Sequence, residues 1–243
     1  MQLPFEQFSA LSAAGICRHV FTQRIPGIDV SHDKAEVLKG LDAAHREICN
    51  AIGVGDWPLF TAEQIHGNKI AVVDEVGSAL RVDRGRRGAA SLPSREFPGC
   101  DGIITNQRGI ALGVYVADCC AVYIVDPRTP AIGLAHSGRK GTELGVVTNA
   151  IREMIDRFGS VPASMIVQLS PCIRPPHYQV DFAAEIIRQC RALGVKEIHD
   201  SGVCTACDLN RYYSYRAEKG KTGRMLALIG LRALPIRQKS VRL

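Results

Sequence analysis

The stretch IALGVYVADCCAVYIVDPRTPAIGLAHSG, residues 110–138, decides the fold. Three apolar runs of strand length, IALGVYV, AVYIVD and AIGLA, follow one another with room only for short turns between them. A regular βαβ alternation needs a crossover of about a dozen residues after nearly every strand, and none fits here. Outward from this block, LFTAEQI, KIAVVDE and GIIT precede it, HVFTQ lies near the start, and SMIVQL and MLALIG follow. All are short apolar runs of strand length. Three helices read out from apolar residues at three- and four-residue steps. The first places Val37, Leu41, Ala44, Ile48 and Ala51 on one face between Asp33 and Ile52, with Ser31 as its cap and Gly53 as its stop. The second carries Leu144, Val147, Ile151, Met154 and Phe158. The third carries Phe182, Ile186, Cys190 and Leu193 and ends at Gly194. Nine strands against three helices predict one α/β domain of the α+β type over residues 1–243, with mixed sheets flanked by a few helices.

Composition excludes several function classes. An apolar content of 46% is enough to bury a sizeable core. The chain has no apolar run long enough to span a bilayer, and its start, MQLPFEQFSALSAAG, lacks the basic region and apolar stretch of a secretion signal. The reading is a cytoplasmic protein that does not engage membranes. A net charge of +6 is too modest for a dedicated nucleic-acid binder and fits an anionic small ligand. Nine cysteines, an odd number without secretory features, are expected to be mostly reduced. The segment from Gly77 to Gly99, with Arg81, Arg84, Arg86, Arg87 and Arg95 among Gly, Ser, Pro and Ala, reads as a mobile surface loop without a catalytic role.

Three junctions between apolar runs and loops carry reactive side chains: Gln64-Ile65-His66-Gly67, Ala117-Asp118-Cys119-Cys120 and Leu134-Ala135-His136-Ser137-Gly138. A cysteine and two histidines from separate loops can supply three ligands of a tetrahedral zinc, leaving the fourth position for water. Cys119 follows His66 by 53 residues and precedes His136 by 17, spacings too long for a zinc finger. Taken singly, each histidine is more commonly a surface or satisfied core residue, and Cys119 a small buried hydrophobe. Past His136, Arg139 and Lys140 lead toward a helix start, where free backbone N–H groups and two cations form an anion site in principle. The run from Gly133 to Lys140 imitates a P-loop but has Arg139-Lys140 where that motif requires Lys followed by Ser or Thr, so a nucleoside-triphosphatase is rejected. Cys204-Thr205-Ala206-Cys207 is a lone C-x-x-C pair and reads as two ordinary thiols. Asn210-Arg211-Tyr212-Tyr213-Ser214-Tyr215-Arg216, aromatics interleaved with arginines, reads as the wall of a small-molecule pocket rather than a nucleic-acid surface.

Taken together and in order, QIHG, GCDGIIT, ADC, AHSG, SPCI, and CT leading to YYSYR and TGR resemble the laccase-domain, or YfiH-type, family. That family was once labelled multicopper polyphenol oxidase and is associated with zinc-dependent purine nucleoside phosphorylase and adenosine deaminase activity. The resemblance runs from about Arg18 to about Gly230. It implies two mixed sheets covered by helices, an αββα sandwich. It also places His66, Cys119 and His136 on the family's metal-binding and catalytic positions, and leaves Cys120 at an aliphatic one. Where the family reads His-Ala-Gly-Trp-Arg-Gly, this chain has His136-Ser137-Gly138-Arg139-Lys140-Gly141. Lys140 replaces a bidentate fork with a point charge and Arg139 removes a stacking ring, a change expected to fall most heavily on substrate binding.

The implied chemistry is phosphorolysis of adenosine or inosine, with 5'-methylthioadenosine as a further substrate, to a free base and ribose 1-phosphate. A zinc-activated water in the same pocket would attack purine C6 and account for deamination. The H-x-E proton shuttle of zinc nucleobase deaminases is missing after both histidines, so Asp118 and Gln64 are the candidates for proton transfer. Arg24 is a candidate for anchoring ligand, with Arg139 and Lys140. The first rival is a metal-free hydrolase of amides or esters with Cys119 as nucleophile and a histidine as base. A copper-dependent phenol oxidase ranks lower, because five of the seven histidines lie outside the proposed site. A non-enzymatic binding domain is the last alternative, and the oligomeric state is left open.

Overall fold

The computed structural model describes residues 3–74 and 94–233. Along them run twelve strands: β1 (Phe5–Glu6), β2 (Cys17–Thr22), β3 (Leu59–Ala62), β4 (Ile70–Val73), β5 (Ser94–Phe97), β6 (Gly102–Thr105), β7 (Ala111–Val116), β8 (Cys120–Asp126), β9 (Ala131–Ser137), β10 (Ile166–Leu169), β11 (Glu197–Asp200) and β12 (Met225–Leu231). The five α-helices of the described residues are α1 (Ser9–Ala13), α2 (Lys34–Ala51), α3 (Arg139–Glu143), α4 (Val146–Phe158) and α5 (Phe182–Ala192). They form two six-stranded mixed sheets, ordered β1-β2-β12-β7-β3-β5 and β11-β10-β8-β9-β6-β4.

Strand β8 shows why the deciding stretch is apolar without alternation. Ala121, Tyr123 and Val125 point into the core shared with the first sheet and its helices, whereas Cys120, Val122 and Ile124 point into a second core with α4 and α5. A strand buried on both faces has no polar side. Its neighbours repeat the arrangement: Leu134 of β9 faces the first core and Ala135 the second. Residues Val37, Leu41, Ile48 and Cys49 of α2 belong to the first core, while Val147, Ile151 and Met154 of α4 and Ile186 and Cys190 of α5 belong to the second. The layers are therefore helix, sheet, sheet, helix, the predicted αββα sandwich.

Chain tracing explains where the site forms. From β3 to β8 the strands alternate between sheets: β3, β5 and β7 in the first, β4, β6 and β8 in the second. Three of the connections that cross between the sheets, 63–69, 98–101 and 117–119, carry Gln64 and His66, Asp101, and Asp118 and Cys119 respectively. In the second sheet β6 and β8 begin, and β9 ends, at one edge, with Gly102 opposite Ala135 and Cys120 opposite Ser137. The crossings and the end of β9 thus converge.

All nine strands and three helices expected from periodicity are present. The cap of α2 is Asp33 rather than Ser31: its carboxylate accepts from Ala35 N and Glu36 N. The chain beyond His136 does not run directly into a helix at Leu144. A short α3 comes first, Leu144 is exposed, and α4 starts after Gly145, whose φ of 74° requires the left-handed conformation that glycine tolerates. The expected surface loop also loses its last part to structure. Residues 94–97 form β5, which lies parallel to β3 at the sheet edge, while Arg81, Arg84, Arg86 and Arg87 fall outside the described residues. β1, α1 and β11 escaped detection because segments of two to five residues carry too few periods to read.

Two core histidines make the fold acid-sensitive. Burial lowers the pKa of His45, packed beside Tyr115 with no partner for Nε2 among the described residues, to about 4. Burial likewise lowers His19, whose Nε2 accepts from the Phe8 N–H, to about 4. Both lie below the ordinary histidine value, so below pH 6.5 the unfolded chain binds protons that the folded chain refuses. Urea titrations should show stability falling by about 2 kcal/mol per group between pH 7 and pH 5. His45→Phe should flatten that slope; an unchanged slope would refute the assignment.

Candidate active site

Asp101 organises the convergence. It is 0% exposed and its carboxylate accepts three hydrogen bonds: His66 N–H on Oδ1 at 2.8 Å, Gly67 N–H on Oδ2 at 2.7 Å, and the His136 ring through Nδ1 on Oδ1 at 3.0 Å. Its backbone carbonyl accepts from His136 N–H at 2.7 Å. Burial pushes this carboxyl upward, but the bonds from His136, Gly67 and His66 outweigh it and hold the group below the usual aspartate value. A single carboxylate thus ties the 63–69 crossing to the end of β9. The stretch GCDGIIT contains it, but the sequence assigned it no role; an acid at the foot of an apolar strand was the available signal.

His66, Cys119 and His136 come together with their ligand atoms all within 4.8 Å of one another. The two rings meet edge to face at 4.8 Å between centroids. His66 adopts a φ of 61° and Gln64 of 65°, left-handed conformations that aim the crossing at the site. Gly138 is required beside them, because a Cβ there would sit 2.5 Å from Cys119 Sγ. With Nδ1 of His136 held by Asp101, Nε2 is left to face the cluster, the carboxylate–histidine arrangement that fixes a metal ligand's tautomer. One thiolate and two imidazoles at this separation fit a zinc ion with an open fourth position. Among the described residues this is the one group of three or more side chains able to hold a metal.

In the protein alone the same residues form an ion pair. Burial raises the Cys119 thiol, but the charge of His136 and the hydrogen bonds from His136 and His66 overcome it and bring the pKa down to about 6. For His136, burial favours the neutral ring, yet the Cys119 thiolate and then Asp101 raise it to about 9.

A cavity of about 390 Å³ opens over the cluster. Around it stand Arg216, Arg224 and Lys34 as cations, with Tyr178, Phe182 and Ile173 on an apolar side. The Arg216 guanidinium lies 4.9 Å from the Tyr178 ring centre and Arg224 lies 5.6 Å from that of Tyr215. The arginine-tyrosine stretch therefore forms part of the wall through Tyr215 and Arg216, whereas Tyr212 and Tyr213 are core residues. Sequence reasoning did not single out Arg224 or Tyr178.

The remaining expected residues divide. Gln64 and Asp118 line the cavity, but both are already bonded: Gln64 exchanges two hydrogen bonds with the Tyr115 backbone, and Asp118 accepts from Thr205 Oγ1 and Arg216 N–H, each at 2.9 Å. Arg139 lines the cavity while paired with Glu143 at 2.8 Å. Lys140 is exposed on α3 and is not among the lining residues. Arg24 is likewise not among them. It pairs with Glu218 at 2.7 Å, donates to the Tyr212 carbonyl and stacks on Tyr213, so its place is structural rather than ligand-anchoring.

Comparison with known proteins agrees with this architecture. YlmD of Geobacillus stearothermophilus, whose crystal structure superposes with a TM-score of 0.77 at 25% identity over 96% of this chain and 100% of that one, shares the fold. In sequence, the purine nucleoside phosphorylase YlmD of the same organism is 29% identical over 85% of this chain and 82% of its own length. The purine nucleoside phosphorylase SCO2081 of Streptomyces coelicolor is 29% identical over 79% and 83%. The family model described as multi-copper polyphenol oxidoreductase laccase matches residues 12–185 and 177–232. With its fold, its separated loop motifs and this match in agreement, the chain belongs to that laccase-domain, YfiH-type family.

Proposed function

We propose that the chain is a purine nucleoside phosphorylase acting on adenosine or inosine, and on 5'-methylthioadenosine as a further substrate. The observation that carries this reading is one cavity, of a size suited to a small ligand, that joins the His66–Cys119–His136 cluster to walls of cations and aromatic rings. Relatives named purine nucleoside phosphorylase support it. In the proposed reaction a phosphate oxygen attacks ribose C1', the C1'–N9 bond breaks, and its electron pair leaves with the purine, giving ribose 1-phosphate.

Arg216 and Arg224 are the proposed phosphate ligands, since a guanidinium presents a fork to the anion. Burial lowers the pKa of Arg224 from the ordinary arginine value, a mark of a cation withdrawn from water, where its field acts with less screening. Tyr178, Phe182 and Ile173 offer the surface against which a purine packs. Asp118 and Gln64 hold the cavity in shape through their bonds to Thr205, Arg216 and Tyr115, in place of the proton-transfer role expected for them. Zinc, held by His66, Cys119 and His136, would supply a Lewis acid and a water acidified to a pKa of about 7. Deamination of adenosine is the proposed minor activity, because among the described residues the only carboxylate in the cavity wall is the doubly bonded Asp118. Copper is the less favoured metal. The proposal includes a cytoplasmic location; among the described residues no helix is long and apolar enough to cross a membrane.

One observation favours a second reading. Cys119, His136 and Asp101 stand in the order thiolate, imidazolium, carboxylate, the arrangement of a metal-free thiol hydrolase. Metal content and phosphate dependence separate the two. The first reading expects about one zinc per chain and base release from adenosine and inosine that requires phosphate; metal-free protein indifferent to phosphate would reject it.

Five substitutions sharpen the test. Cys119→Ala should abolish zinc binding and turnover with folding retained, whereas Cys120→Ala should spare both, because that thiol is packed against Ser170 and fully buried. Asp101→Asn presents an amide N–H where the backbone N–H groups of His66 and Gly67 need acceptors, and should weaken zinc binding about 10- to 100-fold. Arg216→Ala and Arg224→Ala should each raise the KM for phosphate about tenfold or more, the worth of a charged hydrogen bond. An unchanged phosphate KM in both would move the anion elsewhere.

A further inference from the structure

The pair Cys204 and Cys207 acquires a different meaning once its surroundings are visible. Cys204 precedes and Cys207 ends a single 3₁₀ turn, Thr205–Cys207, in which the Cys207 N–H donates to the Cys204 carbonyl at 3.2 Å. Residues three apart eclipse one another in such a turn, so Cys204 and Cys207 lie on the same side of it, and Cys204 raises the pKa of Cys207. Cys207 is exposed and Cys204 half-buried. Cys120 and Cys172, by contrast, are both fully buried and out of reach of a solvent-borne oxidant. Among the described residues no third ligand joins Cys204 and Cys207 into a metal site.

The residue inside the turn reaches the cavity. Thr205 is fully buried, its N–H donates to the Cys172 carbonyl at 3.2 Å, and its hydroxyl donates to Asp118 Oδ1 at 2.9 Å. Asp118 in turn accepts the N–H of the cavity residue Arg216 and immediately precedes Cys119. Any change in the 204–207 turn therefore bears on the wall of the cavity through one hydrogen bond.

We propose that Cys204 and Cys207 are a reversible dithiol–disulfide site, oxidised by small-molecule disulfides, and that closing the disulfide loosens the Thr205–Asp118 bond and lowers turnover in the cavity. The exchange is balanced. One thiolate attacks a sulfur of the external disulfide and expels one thiolate; the second cysteine attacks the mixed disulfide and expels the other. Two protons and two electrons leave the pair, and two small thiols form. Exposed pairs are the labile members of a protein's cysteines.

The test uses the whole, metal-loaded protein equilibrated with oxidised glutathione. Peptide mapping should find a Cys204–Cys207 link with the loss of two titratable thiols and no loss of metal. Hydrogen exchange at the Thr205 and Arg216 amides should quicken, and nucleoside turnover should drop about tenfold, the worth of one hydrogen bond to a charged group. A reductant should reverse all of it. Cys207→Ser, which leaves the cavity untouched, should keep its reduced-state turnover and show none of these changes. A stable glutathione adduct at Cys207 alone, or a link to any other cysteine, overturns the site. The link with unchanged amide exchange overturns the coupling. Peptide mapping and exchange do not require nucleoside turnover, so failure of this inference and failure of the phosphorylase reading are read separately.

Discussion

The buried carboxylate of Asp101 is the constraint on which the rest of the site depends. A carboxylate removed from water carries a desolvation cost of several kcal/mol unless its lone pairs are met. Here the donors that meet them come from two separate segments, the 63–69 crossing and β9. Satisfying the charge therefore forces the two segments into register. The same bonds turn His66 into a left-handed conformation and select the His136 tautomer that leaves Nε2 toward Cys119. Electrostatics at one atom pair thus set geometry across the cluster.

That geometry serves either of two charge states. Without metal, Cys119 and His136 share a proton in a thiolate–imidazolium pair. Were a metal held there, both would serve as its ligands and the proton would be lost, since a coordinating cysteine must be a thiolate and a coordinating histidine neutral. Asp101 supports both states, because it compensates either a charged ring or a polarised one. The close approach of Gly138 to Cys119 leaves no room for a side chain, so the thiolate is enclosed from that side.

The strand and helix content was legible because both cores are large and regular. Runs such as AVYIVD and the α4 face of Val147, Ile151 and Met154 carry enough residues to declare their period. The site was legible in part. His66, Cys119 and His136 stood out through their motifs, and the structure brings them together. Arg24 and Lys140 stood out by residue type alone, and neither lines the cavity. A surface arginine or lysine looks the same in sequence whether it meets a ligand, a carboxylate or water; Arg24 had Glu218 as partner, 194 positions away in the chain. Asp101, Arg224 and Tyr178 were given no role for the converse reason, since their significance lies in what surrounds them, although the first two sit within the motifs GCDGIIT and TGR.

By itself, the sequence determined nine of the strands, the three longer helices and their buried faces, because hydrophobic period is a local property of a dozen residues or fewer. It also determined the order of the loop motifs and hence the family. Only the tertiary structure decided how the strands divide between two sheets, since pairing partners are non-local and many orders share one pattern. It alone decided that three crossings between those sheets end at one place, and so which polar residues meet. A carboxylate, a thiol and an imidazole acquire their chemistry from neighbours within a few ångströms, and those neighbours are set by the packing of the sheets rather than by position along the chain.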